Sequence, residues 1–116
     1  MTTTPRMTLQ VQLVLGEMLS DPAESRYGLD LCAATGLPSG TIYPIMARLE
    51  RISWVESDWE DPEAHIAEGR PRRRYYRLTR EGAEGADEAL RAIRQARKTA
   101  IRAWRIPAPG VTGATS

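Results

Sequence analysis

The sequence predicts an α+β fold that is mainly helical, in which three short helices precede a β-hairpin and a long last helix. Two observations carry this prediction. Amphipathic segments with helical spacing occupy residues 8–51 and return over residues 79–104. Between them lie two runs rich in aromatic and β-branched residues, which are typical of strands. The length of 116 residues is that of one domain.

The first helix is predicted to run from Thr8, a candidate N-cap, to about Ser20. Its apolar face is expected to carry Leu9, Leu13, Val14 and Met18. A second helix is predicted over residues 28–35, and Gly36 ends it because glycine readily adopts the left-handed conformation found after a helix. The residues that this helix is expected to bury are Cys32 and either Leu29 or Leu31.

The third helix is predicted to begin at Ser39 or Thr41 and to extend to Arg51. If Thr41 is the N-cap, Pro44 is the third helical residue, where a missing amide N–H has no intrahelical partner in any case. At 100° per residue, one face about 120° wide is apolar. It carries Ile42, Ile45, Met46, Leu49 and Ile52. The opposite face carries Gly40, Tyr43, Pro44, Ala47, Arg48 and Arg51.

A β-hairpin is predicted from strands over residues 54–59 and 73–79, joined by a long connection over residues 60–72. Alternation places Arg74, Tyr76 and Leu78 on one face of the second strand, and Tyr75 and Arg77 on the other. Thr79 then caps a last helix of about 25 residues that ends near Trp104.

The charges are distributed unevenly along the chain. Residues 1–69 carry four arginines and eleven acids, whereas residues 70–105 carry twelve basic residues and four acids. The densest basic cluster comprises Arg70, Arg72, Arg73, Arg74, Arg77 and Arg80. Arginine side chains match phosphates and guanine edges, so the cluster favours an anionic polymer as partner. The alternative is a self-neutralising surface hairpin, because an acidic run over residues 56–68 precedes the cluster.

Several classes of protein are excluded or disfavoured. The single cysteine, Cys32, excludes an internal disulfide and fits a reducing cytoplasm, and a single histidine disfavours catalytic triads and metal sites. The sequence has no phosphate-binding loop or nucleophile elbow. It also lacks a stretch of about 20 apolar residues and the apolar core of a signal peptide. We therefore expect a cytoplasmic protein that is not an enzyme and that uses no cofactor, metal or membrane.

This order of elements is that of a winged helix-turn-helix, which offers one helix to the major groove and a charged wing to the backbone. Three stretches resemble the PadR family of bacterial transcriptional regulators, namely residues 27–31 (YGLDL), 40–50 (GTIYPIMARLE) and 69–82 (GRPRRRYYRLTREG). The single C-terminal helix is similar to the short subclass of that family. One departure is Ser53, which precedes Trp54 where the family usually has a glycine, and Trp54 is expected to change how the chain enters the hairpin.

The resemblance implies a homodimeric DNA-binding repressor that a small molecule releases from its operator. It implies a winged helix-turn-helix DNA-binding domain over residues 8–79 and a C-terminal dimerisation helix over residues 80–105. Residues 106–116 contain two prolines, two glycines and no charge, and are expected to form a disordered tail. The expected partners are a palindromic operator in double-stranded DNA, a second copy of the chain and a small aromatic effector. A winged-helix protein-interaction module, which would place the arginine cluster on an acidic protein, is the alternative function.

Contacts to DNA are expected from the start of the third helix and from the wing. The predicted DNA-binding residues are Ser39, Thr41, Tyr43, Pro44, Arg48, Arg70, Arg72 and Arg74. Hydroxyl groups near a helix N-terminus suit phosphates, and arginine suits phosphates and base edges. Tyr43 has the alternative of packing beside the wing, and Arg48 that of a surface ion pair with Glu50 or an upstream acid.

Dimerisation is expected through the last helix. Its residues Ala83, Ala86, Leu90, Ile93, Arg97, Ala100 and Trp104 recur at alternating spacings of three and four, which is typical of a coiled-coil seam. The predicted dimerisation residues are Leu90, Ile93, Arg97 and Trp104. The alternative is that this stripe packs on the first helix of its own domain. Trp104 is also a candidate for contact with a flat ligand.

Overall fold

The computed structural model describes residues 4–105, except for the side chains of His65 and Arg105, so the predicted tail over residues 106–116 lies outside the described residues. The elements follow in the order α1 (Leu9–Leu19), β1 (Arg26–Tyr27), α2 (Gly28–Thr35), α3 (Ser39–Arg51), β2 (Val55–Trp59), α4 (Pro62–Glu68), β3 (Arg74–Leu78) and α5 (Arg80–Arg105). This order confirms the predicted α+β winged helix-turn-helix fold, with its long last helix.

The ends of the helices follow the predicted signals. Thr8 Oγ1 accepts a hydrogen bond from the Val11 N–H at 3.2 Å, and Thr79 Oγ1 accepts one from the Gly82 N–H at 2.9 Å. Each threonine thereby satisfies a backbone donor that has no partner within its helix. Gly36 follows α2 with φ of 76°, in the left-handed region where glycine carries no steric penalty.

The structure corrects which residues of α1 face the core. The buried residues of α1 are Val11, Val14, Leu15 and Met18. Leu9 and Leu13 are 64% and 42% exposed, so their predicted place on the core-facing side with Val14 and Met18 is wrong. Apolar residues occur all around α1, and periodicity alone does not select a buried face in such a helix. In α2, the buried leucine is Leu31.

Helix α3 begins at Ser39 rather than after Thr41, because Pro38 is its N-cap and its carbonyl oxygen accepts a hydrogen bond from the Ile42 N–H at 3.0 Å. Of the two predicted starts the structure has Ser39, so Pro44 lies inside the helix and the alternative, with Thr41 as N-cap and Pro44 as the third residue, does not apply. Its ring lacks the N–H that would bond to the carbonyl four residues earlier. The apolar face is buried as predicted, through Ile42, Ile45, Met46 and Leu49.

The strands form a three-stranded antiparallel sheet in the order β1-β3-β2. The hairpin pairs Val55 with Leu78 at one end and Trp59 with Arg74 at the other. Strand β1, which sequence analysis did not predict, pairs with the other edge of β3. The connection over residues 60–72 contains α4, which was also not predicted. The sheet thus joins the wing to the start of α2.

The turn between α3 and β2 places a serine in a conformation that suits glycine. The Ser53 N–H donates to the Glu50 carbonyl at 3.1 Å and the Trp54 N–H to the Leu49 carbonyl at 2.9 Å. This is the Schellman arrangement, which requires a left-handed residue after the helix. Ser53 meets that requirement with φ of 64°, at the position where the family usually has a glycine.

Replacing this serine with glycine is expected to stabilise the fold. Ser53→Gly removes the steric penalty of the left-handed conformation and should raise the free energy of unfolding by about 1 kcal/mol. Thermal unfolding followed by circular dichroism should show a rise of about 4 °C in Tm. Ser53→Ala is the matched control, because it removes the same hydroxyl and keeps the penalty. Equal Tm values for the two variants would contradict the account.

Candidate nucleic-acid interface

The outward face of α3 is accessible along the first two turns of the helix. Ser39, Pro44 and Arg48 are exposed, Tyr43 is 41% exposed, and Thr41 is half-buried. Pro38 makes no side-chain cap, so backbone N–H groups at the start of α3 remain available to an anion. The five predicted residues of α3 therefore lie on the accessible part of the helix surface, four of them in the first two turns and Arg48 in the third.

Tyr43 combines a packed ring with an accessible edge. A Cβ atom at Gly28 would lie 2.5 Å from the Tyr43 hydroxyl oxygen, so the glycine allows the ring to lie against the start of α2. Burial on this side fixes the ring, while the exposed part remains open to solvent. A rigid side chain loses little conformational entropy when it binds a partner.

Arg48 is not engaged in the predicted ion pair with Glu50. The Glu50 carboxylate instead lies 3.4 Å from Arg74 Nη2 and accepts a hydrogen bond from Ser57 Oγ at 2.7 Å. Within residues 4–105, Arg48 forms no ion pair, and its guanidinium lies at the surface of α3. Its charge is therefore available to an anionic partner.

Arg74 is held in place by three neighbours on two other elements, β2 and α3. Its Nε and Nη2 donate to Ser57 Oγ at 3.0 Å and 2.9 Å, and its guanidinium lies 5.4 Å from the centre of the Trp59 ring. The pair with Glu50 joins the wing to α3. The Arg72 guanidinium also lies near Trp59, 5.8 Å from the centre of its ring, and its Nε donates to the Glu60 carbonyl at 2.8 Å. Both arginines are positioned before any partner binds.

Arg70 is committed to ion pairs within the wing. Its guanidinium binds both oxygens of Glu60, with Nη2 donating to Oε2 at 2.9 Å, and its Nε donates to Glu68 Oε1 at 2.9 Å. The Glu60 side chain is only 3% exposed, and it also accepts a hydrogen bond from the Arg73 N–H at 2.9 Å. The Arg70 guanidinium lowers the pKa of Glu60 to about 2. Glu60 is thus an internal anchor of the β2–β3 connection and does not extend from an acidic tip.

A groove of about 560 Å³ separates the wing from the starts of α2 and α3. It brings together four of the predicted residues, Tyr43, Arg70, Arg72 and Arg74, with other residues that sequence analysis did not select, including Tyr27, Trp59 and Arg73. Tyr27 stacks on Tyr75 with ring centres 4.3 Å apart, and the Arg73 guanidinium lies 4.4 Å from the centre of the Tyr27 ring. Arginines that alternate with aromatic rings are suited to a phosphate backbone. The combination of arginines and tyrosines was visible in residues 72–77, whereas the contribution of β1 was not.

The predicted dimerisation residues divide into two groups. Leu90 and Ala83 are partly buried against the core of their own chain, and Ala86 from the same face of α5 is fully buried. The first half of the seam therefore packs on its own domain. Ile93 is half-buried, whereas Arg97 is exposed and Trp104 is 85% exposed.

Other kinds of site have no support in the part of the chain that the structure describes. No cluster of three or more potential metal-ligating side chains occurs in it. None of its helices is both long and apolar enough to cross a bilayer. Cys32 is a free, partly buried thiol that packs against the core.

Comparison with known proteins agrees with this geometry. The sequence model of the transcriptional regulator PadR-like family matches residues 20–88. A PadR family regulator from Clostridium difficile is similar in structure, with a TM-score of 0.64, 22% identity, and coverage of 79% of this chain and 95% of that chain. A PadR-like regulator from Bacillus cereus gives a TM-score of 0.63, 20% identity, and coverage of 84% and 92%.

A third similar structure is BpsR of Bordetella bronchiseptica, whose DNA binding is regulated by 6-hydroxynicotinic acid. Its TM-score is 0.63 and its identity 17%, and the alignment covers 81% of this chain. The chain spans only 64% of the length of BpsR. No curated protein sequence matches the chain. At these identities the structural likeness shows a shared fold.

Proposed function

Because the chain belongs to the PadR-like family of transcriptional regulators, we propose that it is a homodimeric repressor that binds a palindromic operator in duplex DNA. Regulators of this kind are not enzymes. We also propose that a small aromatic effector releases the DNA and that the protein acts in the cytoplasm.

The observation that carries the DNA-binding proposal is the alignment of α3 with the groove beside the wing. The accessible face of α3 presents Tyr43 and Arg48, and Arg72 and Arg74 stand fixed across the groove. In this assignment α3 enters the major groove, and the two wing arginines bind phosphates of the flanking backbone. Arg70 stabilises the wing through Glu60 and makes no primary DNA contact.

Two apolar surfaces that the protomer leaves exposed support the homodimer. One lies on α1, where Leu9 and Leu13 face away from the core. The other lies on the second half of α5, where Ile101 is 48% and Trp104 85% exposed. Leu9 and Leu13 form a second apolar strip on α1, apart from the residues that face the core, and exposed apolar surface of this kind favours a second partner. We assign the second half of α5 from another copy to that role, together with Ile93 and Arg97.

The effector proposal rests on the same surface. Trp104 presents a large, flat and exposed ring at the end of α5, and it would lie at or near the contact between two copies. A planar aromatic ligand that stacks on this ring would change the relative positions of the two DNA-binding units. The regulation of BpsR by 6-hydroxynicotinic acid supports this class of ligand.

The division of roles between α3 and the wing is tested by two variants. Arg72→Ala/Arg74→Ala should weaken binding to operator and random duplexes alike, and should make the slope of log affinity against log salt shallower by about 0.9 per lost contact. Arg48→Ala should weaken the binding free energy for the operator by about 1–3 kcal/mol and that for random DNA only slightly.

Fluorescence anisotropy with both duplexes at several salt concentrations provides the measurement. If Arg48→Ala loses the same binding free energy on the operator and on the random duplex, Arg48 has no role in base recognition. An unchanged slope for the double variant would remove the wing from the interface. If the intact protein binds neither duplex at low salt, the repressor proposal is replaced by the alternative function, in which the arginine cluster binds an acidic protein.

A further inference from the structure

The second half of α5 carries a concentration of positive charge that the proposed DNA-binding face does not use. Residues 91–105 contain five arginines, one lysine and no acid. The first half of the same helix is different, because it carries Glu81, Glu84, Asp87 and Glu88. The positive charge therefore belongs to the part of α5 that extends beyond the core of its own protomer.

Most of these basic residues share one side of the helix. At 100° per residue, four of them lie within a sector about 80° wide and about 17 Å long. This basic stripe consists of Arg91, Arg94, Lys98 and Arg102, which are all exposed. Arg91 pairs with Asp87 at 3.0 Å, whereas the other three form no ion pair within the described chain. Three positive charges of the stripe are thus available to a partner.

Two large apolar residues of the same half-helix lie on a different side. Ile93 and Trp104 fall about 20° apart, and the centre of the basic stripe lies more than about 90° around the helix from them, with Ile101 between the two sides. The proposed dimer contact uses the apolar side. The basic stripe therefore stays exposed in the dimer, where it occurs twice.

We propose that the basic stripe is a second, sequence-independent binding site for the phosphate backbone of duplex DNA. This inference rests on the proposed function, because it takes the apolar side of α5 to be covered by a second copy. Helix α5 packs on α1 and β3, and the core separates it from the outward face of α3. The DNA bound at the stripe is therefore a different segment from the operator bound at α3.

Charge complementarity selects duplex DNA over an anionic membrane. Duplex DNA presents one negative charge per about 1.7 Å of its axis, so a straight stripe about 17 Å long meets many phosphates at once. A basic helix that binds a membrane must also insert its apolar side among the lipids. On α5 that side is small, and the proposed dimer contact occupies it.

The test compares two variants of the full chain that each remove one exposed arginine. Arg94→Gln changes the stripe, and Arg6→Gln is the control with the same change in net charge. The probe is a duplex of random sequence, bound at several salt concentrations. The stripe variant should lower the slope of log affinity against log salt by about 0.9, and the control should leave it unchanged.

The outcomes separate this inference from the proposed function. Sedimentation should first show that both variants remain dimers. The second site would be overturned if the stripe variant and the intact chain gave equal slopes of log affinity for DNA against log salt. It would also be overturned if the stripe variant lost binding to phosphatidylserine vesicles while its binding to DNA stayed unchanged. Failure of the repressor proposal would appear elsewhere, as equal affinity of the intact chain for operator and random duplexes.

Discussion

A variant that carries Leu13→Glu and Trp104→Glu is expected to be a folded monomer with at least about a 1,000-fold loss of operator affinity. Both side chains are exposed in the protomer, so the charges cost little within one copy. In the proposed dimer they lie in an apolar contact between α1 and the second half of α5, where an unpaired carboxylate is costly. A monomer reads one half-site only, and its affinity falls towards that for random DNA.

Sedimentation and operator binding measure the two parts of this prediction separately. The matched control is Ile66→Glu, which places a carboxylate on another exposed apolar residue, at 69% exposure, on α4. The control should remain dimeric and should retain its operator affinity. A double variant that sediments as a dimer would contradict the assignment of α1 and α5 to the contact.

The second large effect is expected at Gly82, where α5 passes closest to the turn that follows α3. A Cβ atom there would lie 1.9 Å from the carbonyl oxygen of Trp54. That carbonyl is fixed, because it accepts a hydrogen bond from the Thr79 N–H at 3.0 Å and belongs to a fully buried tryptophan. Gly82→Ala must therefore move the backbone, and it should lower the free energy of unfolding by about 3 kcal/mol.

Chemical denaturation of Gly82→Ala and of Gly40→Ala provides the comparison. Gly40 is also helical, but a Cβ atom there meets nothing within 4 Å. Alanine at this position should be neutral or stabilising by up to about 1 kcal/mol, because alanine has the higher helix propensity. Equal stabilities of the two variants would show that α5 does not approach Trp54 as closely as described.

Local signals in the sequence were sufficient for most of the helices. Thr8 and Thr79 predicted two helix starts, and Gly36 predicted the end of α2, because capping depends only on residues close in the chain. The buried face of α3 followed from its strict apolar periodicity. The start of α3 was left open between Ser39 and Thr41, and it lies at Ser39, because the N-cap is Pro38, which has no side-chain group that would signal a helix start.

Most of the errors, though not the missed helix α4, came from contacts between distant residues. Strand β1 has two residues, too few for an alternating pattern, and it exists because Tyr27 stacks on Tyr75. The charge pattern showed an acidic run before an arginine cluster, but did not reveal that Glu60 folds inward to bind Arg70. Helix α4 was missed although Pro62 occupies its first position, which is a local signal that favours a helix start. The outward position of Leu9 and Leu13 depends on which side of α1 meets the core.

The central claim is that two copies of this chain read duplex DNA through α3 and the wing. Selection of bound sequences from a random pool of duplexes by the intact protein tests it most directly. The account predicts enrichment of a palindrome whose half-sites lie about 10 base pairs apart, or a multiple of that distance, because two recognition helices then meet the same side of the duplex. A pool that shows no enriched sequence, or a single half-site without a symmetric partner, would contradict it.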